Sequence, residues 1–198
     1  SGPDGMLPVE LGELRVMSLG FLLHHEHDAV IWRGPRKIGV IKQFIAEVDW
    51  GSLDYLVVDT PPGTGDEPLS VCQLIGDADG AVIVTTPQEV ALSAVRRSLD
   101  FCLQLRMPVI GVVENMSGYI CPKCGERTEI FKGGGGERMA RDAGVPFLGC
   151  VPIDPALAGA GDEGIPYVHR FADSATAKAL GSVFEPILEW RRPAAPGR

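Results

Sequence analysis

No stretch of this 198-residue sequence is apolar for long enough to cross a bilayer. Runs such as Ala81-Val82-Ile83-Val84 fall far short of the roughly 20 residues a spanning helix needs. Positive charge is also scarce: Lys and Arg number 18 against 26 Asp and Glu, a formal net charge of −8. No window gathers the basic stripe that neutralising a phosphate backbone demands. Neither a membrane nor a nucleic acid is an expected partner. The five cysteines are odd in number and irregularly spaced, so they make no disulfide framework and point to a reducing, cytoplasmic setting. Residues 1–5 are small, polar and turn-prone, unlike a secretory leader. What is present is an ordinary globular composition, 45% hydrophobic and 22% charged, in a chain of single-domain size with enough surface to bury a core.

Short β-rich apolar runs alternate with longer segments of helical period, the pattern of an α/β fold with a parallel sheet flanked by helices. Strands are expected at 14–19, 55–58, 81–84, 109–113 and 147–151. Helices are expected from Pro35, where Ile38, Ile41, Phe44, Ile45 and Val48 recur every three or four residues, and at 67–75, 91–105, 137–143 and 174–190. The predicted organisation is one domain over 1–190, an insertion at 119–136 that follows neither period, and a Pro- and Gly-containing tail over 191–198 expected to be disordered. Ligands of open α/β sheets bind outside the carboxyl ends of the strands. The polar residues that close the apolar runs, Asp59, Thr85, Thr86, Asn115 and Asp154, are therefore expected along one edge.

Tyr55-Leu56-Val57-Val58-Asp59 has the form of a strand whose terminal carboxylate holds the Mg²⁺ of a bound nucleotide. Asp59 also fits the plainer role of capping the next turn. The sequel Thr60-Pro61-Pro62-Gly63-Thr64-Gly65-Asp66-Glu67 favours the ligand. Two prolines stiffen the backbone, the glycines let it approach a phosphate closely, and an acidic pair opens a helix.

Cys121-Pro122-Lys123-Cys124-Gly125 is a tight knuckle in which two thiolates can face one metal centre and the glycine permits a turn that aims amides at sulfur. It supplies half of a four-ligand site, and the chain has no second such pair. Cys72, Cys102 and Cys150 fall on two helices and a strand and read as inert core thiols. The economical completion is a second copy related by a twofold axis. Structural zinc, a redox couple and unliganded thiols stay open as other readings. His24, His25 and His27 could form a metal tract, but their surroundings read as a solvated turn. The run Lys132 to Gly136 reads as a flexible hinge opening a helix rather than as a phosphate loop, because its lysine precedes the glycines.

The run 53–66 resembles the Walker B and switch II segment of the Mrp/ApbC iron-sulfur cluster carriers, which are MinD/ParA-like deviant P-loop NTPases. Trp32-Arg33-Gly34-Pro35, Val84-Thr85-Thr86-Pro87-Gln88, Glu114-Asn115-Met116-Ser117-Gly118, the cysteine knuckle and Phe147-Leu148-Gly149-Cys150-Val151-Pro152 match in the same order, over about residues 9–190. The resemblance implies a P-loop NTPase fold. It also implies a 4Fe-4S cluster bridging the Cys121 and Cys124 pairs of two chains, in a homodimer or a heterodimer with a family paralogue, for delivery to apo iron-sulfur client proteins. It implies ATP and Mg²⁺ binding, with Asp59 and Gly63 at the phosphates, Asn115 at the base, and Pro152 and Asp154 lining the base pocket.

One departure stands out. None of the five lysines, Lys37, Lys42, Lys123, Lys132 and Lys178, follows a glycine, so the Gly-Lys-Ser/Thr of a phosphate loop is missing, as is the family's aspartate-rich switch I. The sequence is thus expected to be N-terminally incomplete, a mis-started reading frame or a relative without the loop, and inactive as an ATPase by itself. A MinD/ParA-type partitioning ATPase and a zinc-bound, non-catalytic dimerisation module are the alternative functions. The cysteine knuckle and the lack of a basic amphipathic terminal helix weigh against the first.

Overall fold

The computed structural model describes residues 5–23, 34–121 and 123–190. The histidine tract, Arg33, Pro122 and the tail expected to be disordered lie outside the described residues. Contacts divide the chain into two compact units, Ser1–Ala78 and Asp79–Arg198.

In the first unit, β1 (Val9–Leu11) and β2 (Leu14–Val16) form an antiparallel hairpin, turned at Gly12 with φ +64°. The strand expected over 14–19 is therefore shorter. It gives way to one turn of 3-10 helix, Leu19–Leu22, whose Gly20 N–H donates to the Ser18 hydroxyl. Helix α1 (Gly34–Ala46) starts where Pro35 predicts. Val48 is not on it: it is buried beyond the helix end and bridges to Met6. Helix α2 (Asp66–Ile75) packs on α1, and Lys37 Nζ of α1 lies 2.6 Å from Glu67 Oε1 in the first turn of α2.

The strand expected at 55–58 does not form. The run joins no sheet, and Tyr55, Leu56, Val57 and Val58 are all exposed. A strand buried on both faces needs a ladder for its N–H and C=O groups and cover above and below. Among the described residues of this unit the one hairpin pairs with itself, so the run has apolar side chains but no sheet to enter.

The second unit holds a mixed sheet. Strands β3 (Ala81–Thr85), β4 (Val109–Ile120) and β6 (Phe147–Ile153) run parallel with β4 in the middle, and β5 (Arg127–Thr128) pairs antiparallel with the far end of β4. Helices α3 (Glu89–Gln104) and α4 (Gly135–Ala143) cover one face. There Leu92, Leu99 and Cys102 of α3 and Met139 and Ala140 of α4 enclose Ile83 and Val112. Helix α7 (Ala175–Leu188) covers the other, with Val183 against Val113 and Val151. Two short helices precede it, α5 (Pro155–Asp162) and α6 (Tyr167–Arg170), where sequence periodicity predicts only a loop. They are held by Tyr167, buried with Ala160 and Ala177.

Candidate functional site

The parallel ladders fix which residues share an edge. Thr85 is the register partner of Glu114, Glu114 of Cys150 and Asn115 of Val151. The carboxyl ends of β3, β4 and β6 thus bring Thr85, Thr86, Asn115 and Pro152 to one side of the second unit, with Asp154 just past β6. Asp59 and Gly63 belong to the first unit.

Beyond Glu114 the backbone of β4 breaks from regular geometry. Met116 has φ +58° and Gly118 φ +133°, and the pairing with β6 is irregular between Asn115 and Tyr119. Asn115 Oδ1 accepts the Met116 N–H at 2.9 Å. Past this irregularity β4 takes β5 as a further partner, Tyr119 opposite Thr128 and Ile120 opposite Arg127, while Tyr119 still pairs with Ile153 of β6 and Ser117 Oγ donates to the Val151 carbonyl at 3.3 Å. Arg127 Nη2 donates to the Ser117 carbonyl at 2.8 Å, and a Cβ on Gly118 would come within 3.2 Å of Arg127 Nε.

The cysteines sit at the tip of this extension. The Cys121 N–H donates to the Glu126 carbonyl at 2.9 Å, and the Gly125 N–H to the Cys121 carbonyl at 2.8 Å, with Gly125 at φ +74°. The amides of Cys124 and Lys123, then the Cys124 side chain, donate to the Cys121 sulfur and hold its thiol below the ordinary range, which favours the metal-binding thiolate. Cys121 is half-buried and Cys124 exposed. Among the described residues no group of three or more His, Cys, Asp or Glu side chains could hold a metal ion, so one chain offers this knuckle two ligands. The other thiols differ. Cys102 is buried in the core, and burial pushes the Cys72 and Cys150 thiols up, away from the reactive form.

The loop after Asp59 is exposed. Gly63 adopts φ +101°, and among the described residues nothing lies within 4 Å of where a Cβ would sit, so there its backbone is open. The first turn of α2 carries Asp66 and Glu67, and hydrogen bonding to Lys37 lowers the Glu67 carboxyl.

Asp154 is the N-cap of α5: Oδ1 accepts the Ala156 N–H at 2.8 Å, and Oδ2 accepts the Tyr167 hydroxyl, which also meets Ser174 Oγ at 3.0 Å. Burial pushes its carboxyl up, but hydrogen bonds from Tyr167, Thr176 and the amides of Ala156 and Leu157 outweigh that and leave it below the usual range. The carboxylate therefore ties α5, α6 and α7 together, and the Asp154 carbonyl accepts the N–H groups of Leu157 and Ala158 at 3.0 and 3.4 Å.

Sequence reasoning missed Glu114. It is 1% exposed, and Oε2 accepts the Gly136 N–H at 2.6 Å while Oε1 accepts that of Gly134 at 3.3 Å. The available signal is an acid directly after the apolar run 109–113, a position the fold keeps inside the sheet. The glycine run does open a helix, but as a site of close packing: a Cβ on Gly135 would lie 2.6 Å from Leu92 Cδ1 and 2.7 Å from the Pro87 carbonyl oxygen.

Comparison with known proteins agrees with this architecture. The chain is 50% identical over 195 residues to the cytosolic Fe-S cluster assembly factor nubp2 of Xenopus tropicalis, covering 96% of this chain and 72% of that protein. It is 49% identical over 190 residues to the NUBP2 homolog of Trichoplax adhaerens, covering 93% and 72%. Among solved structures, a nucleotide-binding protein from Archaeoglobus fulgidus in complex with ADP superposes with a TM-score of 0.69 at 37% identity, covering 89% of this chain and 70% of that one. The Pyrococcus furiosus cell division ATPase MinD shares the fold, with a TM-score of 0.57 at 23% identity over 78% of this chain and 58% of its own. The match to the ParA family of NUBPL iron-transfer P-loop NTPases extends over residues 1–188, and the chain belongs to that family.

Proposed function

We propose that this chain carries an iron-sulfur cluster as cargo, held by Cys121 and Cys124 together with the same pair of a second chain, and passes it to apo iron-sulfur proteins. The observation that carries the reading is the two-ligand knuckle. Two accessible thiols share one turn, amides stabilise one of them as thiolate, and no third ligand stands beside them among the described residues. A cluster that wants four thiolates is then completed by a symmetric partner, either a second copy or a paralogue. The names of the relatives support the cluster and a cytosolic setting, and among the described residues no helix is long and apolar enough to cross a membrane.

Nucleotide binding is carried over from the ADP complex of the Archaeoglobus protein. In this reading Asp59 holds Mg²⁺ or orients water, and the open backbone at Gly63 faces phosphate. Asn115 meets the base, giving up its bond to the Met116 N–H if both halves of the amide are to pair, and Pro152 and Asp154 line the pocket through their backbone.

Anaerobic reconstitution with iron and sulfide tests the cluster. The expected product absorbs broadly near about 400 nm, contains about two iron atoms per chain and elutes as a dimer, and Cys121→Ala abolishes all three. Failure to take up iron, uptake unaffected by Cys121→Ala, or binding of zinc alone would overturn the reading.

A further inference from the structure

We propose that Glu114 is a positioning residue for the cysteine loop, a buried carboxylate that ties the loop's returning leg to the sheet. The inference rests on the reading that Cys121 and Cys124 hold the cluster.

Glu114 lies on the central strand with Thr85 beside it on one side and Cys150 on the other. Among the described residues it forms no ion pair. Its partners are the N–H groups of Gly134 and Gly136 and, at 4.0 Å, the Cys150 thiol. A buried carboxylate is costly unless hydrogen-bonded, and here the N-terminus of α4 supplies both the donors and the favourable end of the helix dipole. The helix needs it in return, because its N-cap, Gly134 at φ +76°, offers no side-chain cap. The glycines make the approach possible: a Cβ on Gly136 would stand 3.0 Å from Glu114 Cβ, 3.2 Å from its Oε2 and 3.1 Å from Thr85 Cγ2.

The bond between Glu114 and Gly134 closes a neck. The segment 115–133 lies between its two sides: 115–120 still belong to β4, and both cysteines lie beyond them. The outgoing leg is fixed separately, as the end of β4: Asn115 and Tyr119 pair with Val151 and Ile153 of β6, Ser117 Oγ donates to the Val151 carbonyl, and the β4–β5 ladder with Arg127 on the Ser117 carbonyl carries the order on to β5. The leg that returns from β5 to α4 enters the fold at the Glu114 carboxylate. With the neck shut, the direction in which the thiols leave the sheet is set at both ends. Two half-sites that must meet across a symmetry axis benefit from that preorganisation.

The test uses the full chain. In Glu114→Gln the replaced oxygen becomes an NH₂ facing an N–H, and the charge-assisted bond is lost. Amide exchange at 129–136 in the metal-free protein should then rise about tenfold or more, while exchange in α7 stays as in the parent. After reconstitution, iron retained per chain should fall and the visible circular dichroism of the cluster should change. Gly136→Ala, which crowds the carboxylate from the other side, should reproduce the pattern, and it decides the matter if Glu114→Gln fails to fold. Cys121→Ala should remove iron and leave exchange at 134–136 unchanged. Unaltered exchange at 129–136 in both neck variants, a rise spread evenly over the molecule in Gly136→Ala, or a parent-like cluster spectrum in a variant whose neck has opened would each overturn the proposal. If the parent chain binds no iron, it is the cluster reading that falls, and the exchange experiment still reports on the neck.

Discussion

Residues 55–58 and 109–113 look alike as sequence, each a short apolar run rich in β-branched side chains and ending at an acid or just before one, yet the fold treats them oppositely. The second becomes the start of β4, flanked by β3 and β6, with Val112 0% exposed and Val113 6%. The first joins no sheet, and Val57 is 87% exposed. The difference is not propensity, which favours a strand in both. It is the supply of neighbours: β4 has a ladder on each side and helices on each face, and 55–58 has neither among the described residues of its unit. An apolar run states what a strand would bury, and the rest of the chain decides whether it does so.

The comparison breaks most readily where burial is deepest. Leu92, 1% exposed, sits on α3 against the sheet that contains β4. Leu92→Ala should cost the second unit about 2–5 kcal/mol, the lost transfer energy plus the cavity left behind, measured as a lower urea midpoint at the β4 amides. A cost below about 1 kcal/mol would mean that this core collapses around the gap and that the contrast with 55–58 is overstated.

How much could be read beforehand follows the same division. Helices α1, α2, α3, α4 and α7 and strands β3, β4 and β6 were legible because period and length agree there with what the tertiary structure supplies. Helices α5 and α6 were not, since their short segments carry no full apolar face and depend on Tyr167 and Asp154 to hold them. The polar end of β4 was legible as a place but not as a shape. Nothing in Glu114-Asn115-Met116 announces that the strand will distort at a left-handed methionine, add β5 as a further partner and continue to Ile120. The cysteine turn could be read from Gly125 and the spacing alone, whereas the Glu114 neck could not, because it joins residues 20 and 22 positions apart through close packing that only the folded backbone reveals.

A smaller effect sharpens the contrast through charge. Asp154 is held below the usual carboxylate range although burial opposes it, because Tyr167, Thr176 and two amides favour the ionised form. A carboxyl with a depressed folded pKa contributes stability that is fully present above its unfolded value of about 3.9 and is lost as pH falls through the folded value. Asp154→Ala should therefore cost about 1 kcal/mol or somewhat more at neutral pH, as the loss of an N-cap does, and the gap to the parent should close on acidification below about pH 4. A gap independent of pH would mean that the carboxylate does not tie the three helices together.

The smallest expected effect lies in 55–58 itself. Val57→Thr keeps the β-branched shape and exchanges a methyl for a hydroxyl, so it reads burial and little else. At a site as exposed as Val57 the hydroxyl stays hydrated, and hydrogen exchange in α1 and α2 should shift by no more than the equivalent of about 0.5 kcal/mol. Were the run packed as β4 is, the same hydroxyl would enter an apolar layer without a partner, and the cost would rise to about 1–3 kcal/mol. A loss of that size would show that the free chain finds a sheet for 55–58 after all, and two runs of similar pattern would then share a similar environment.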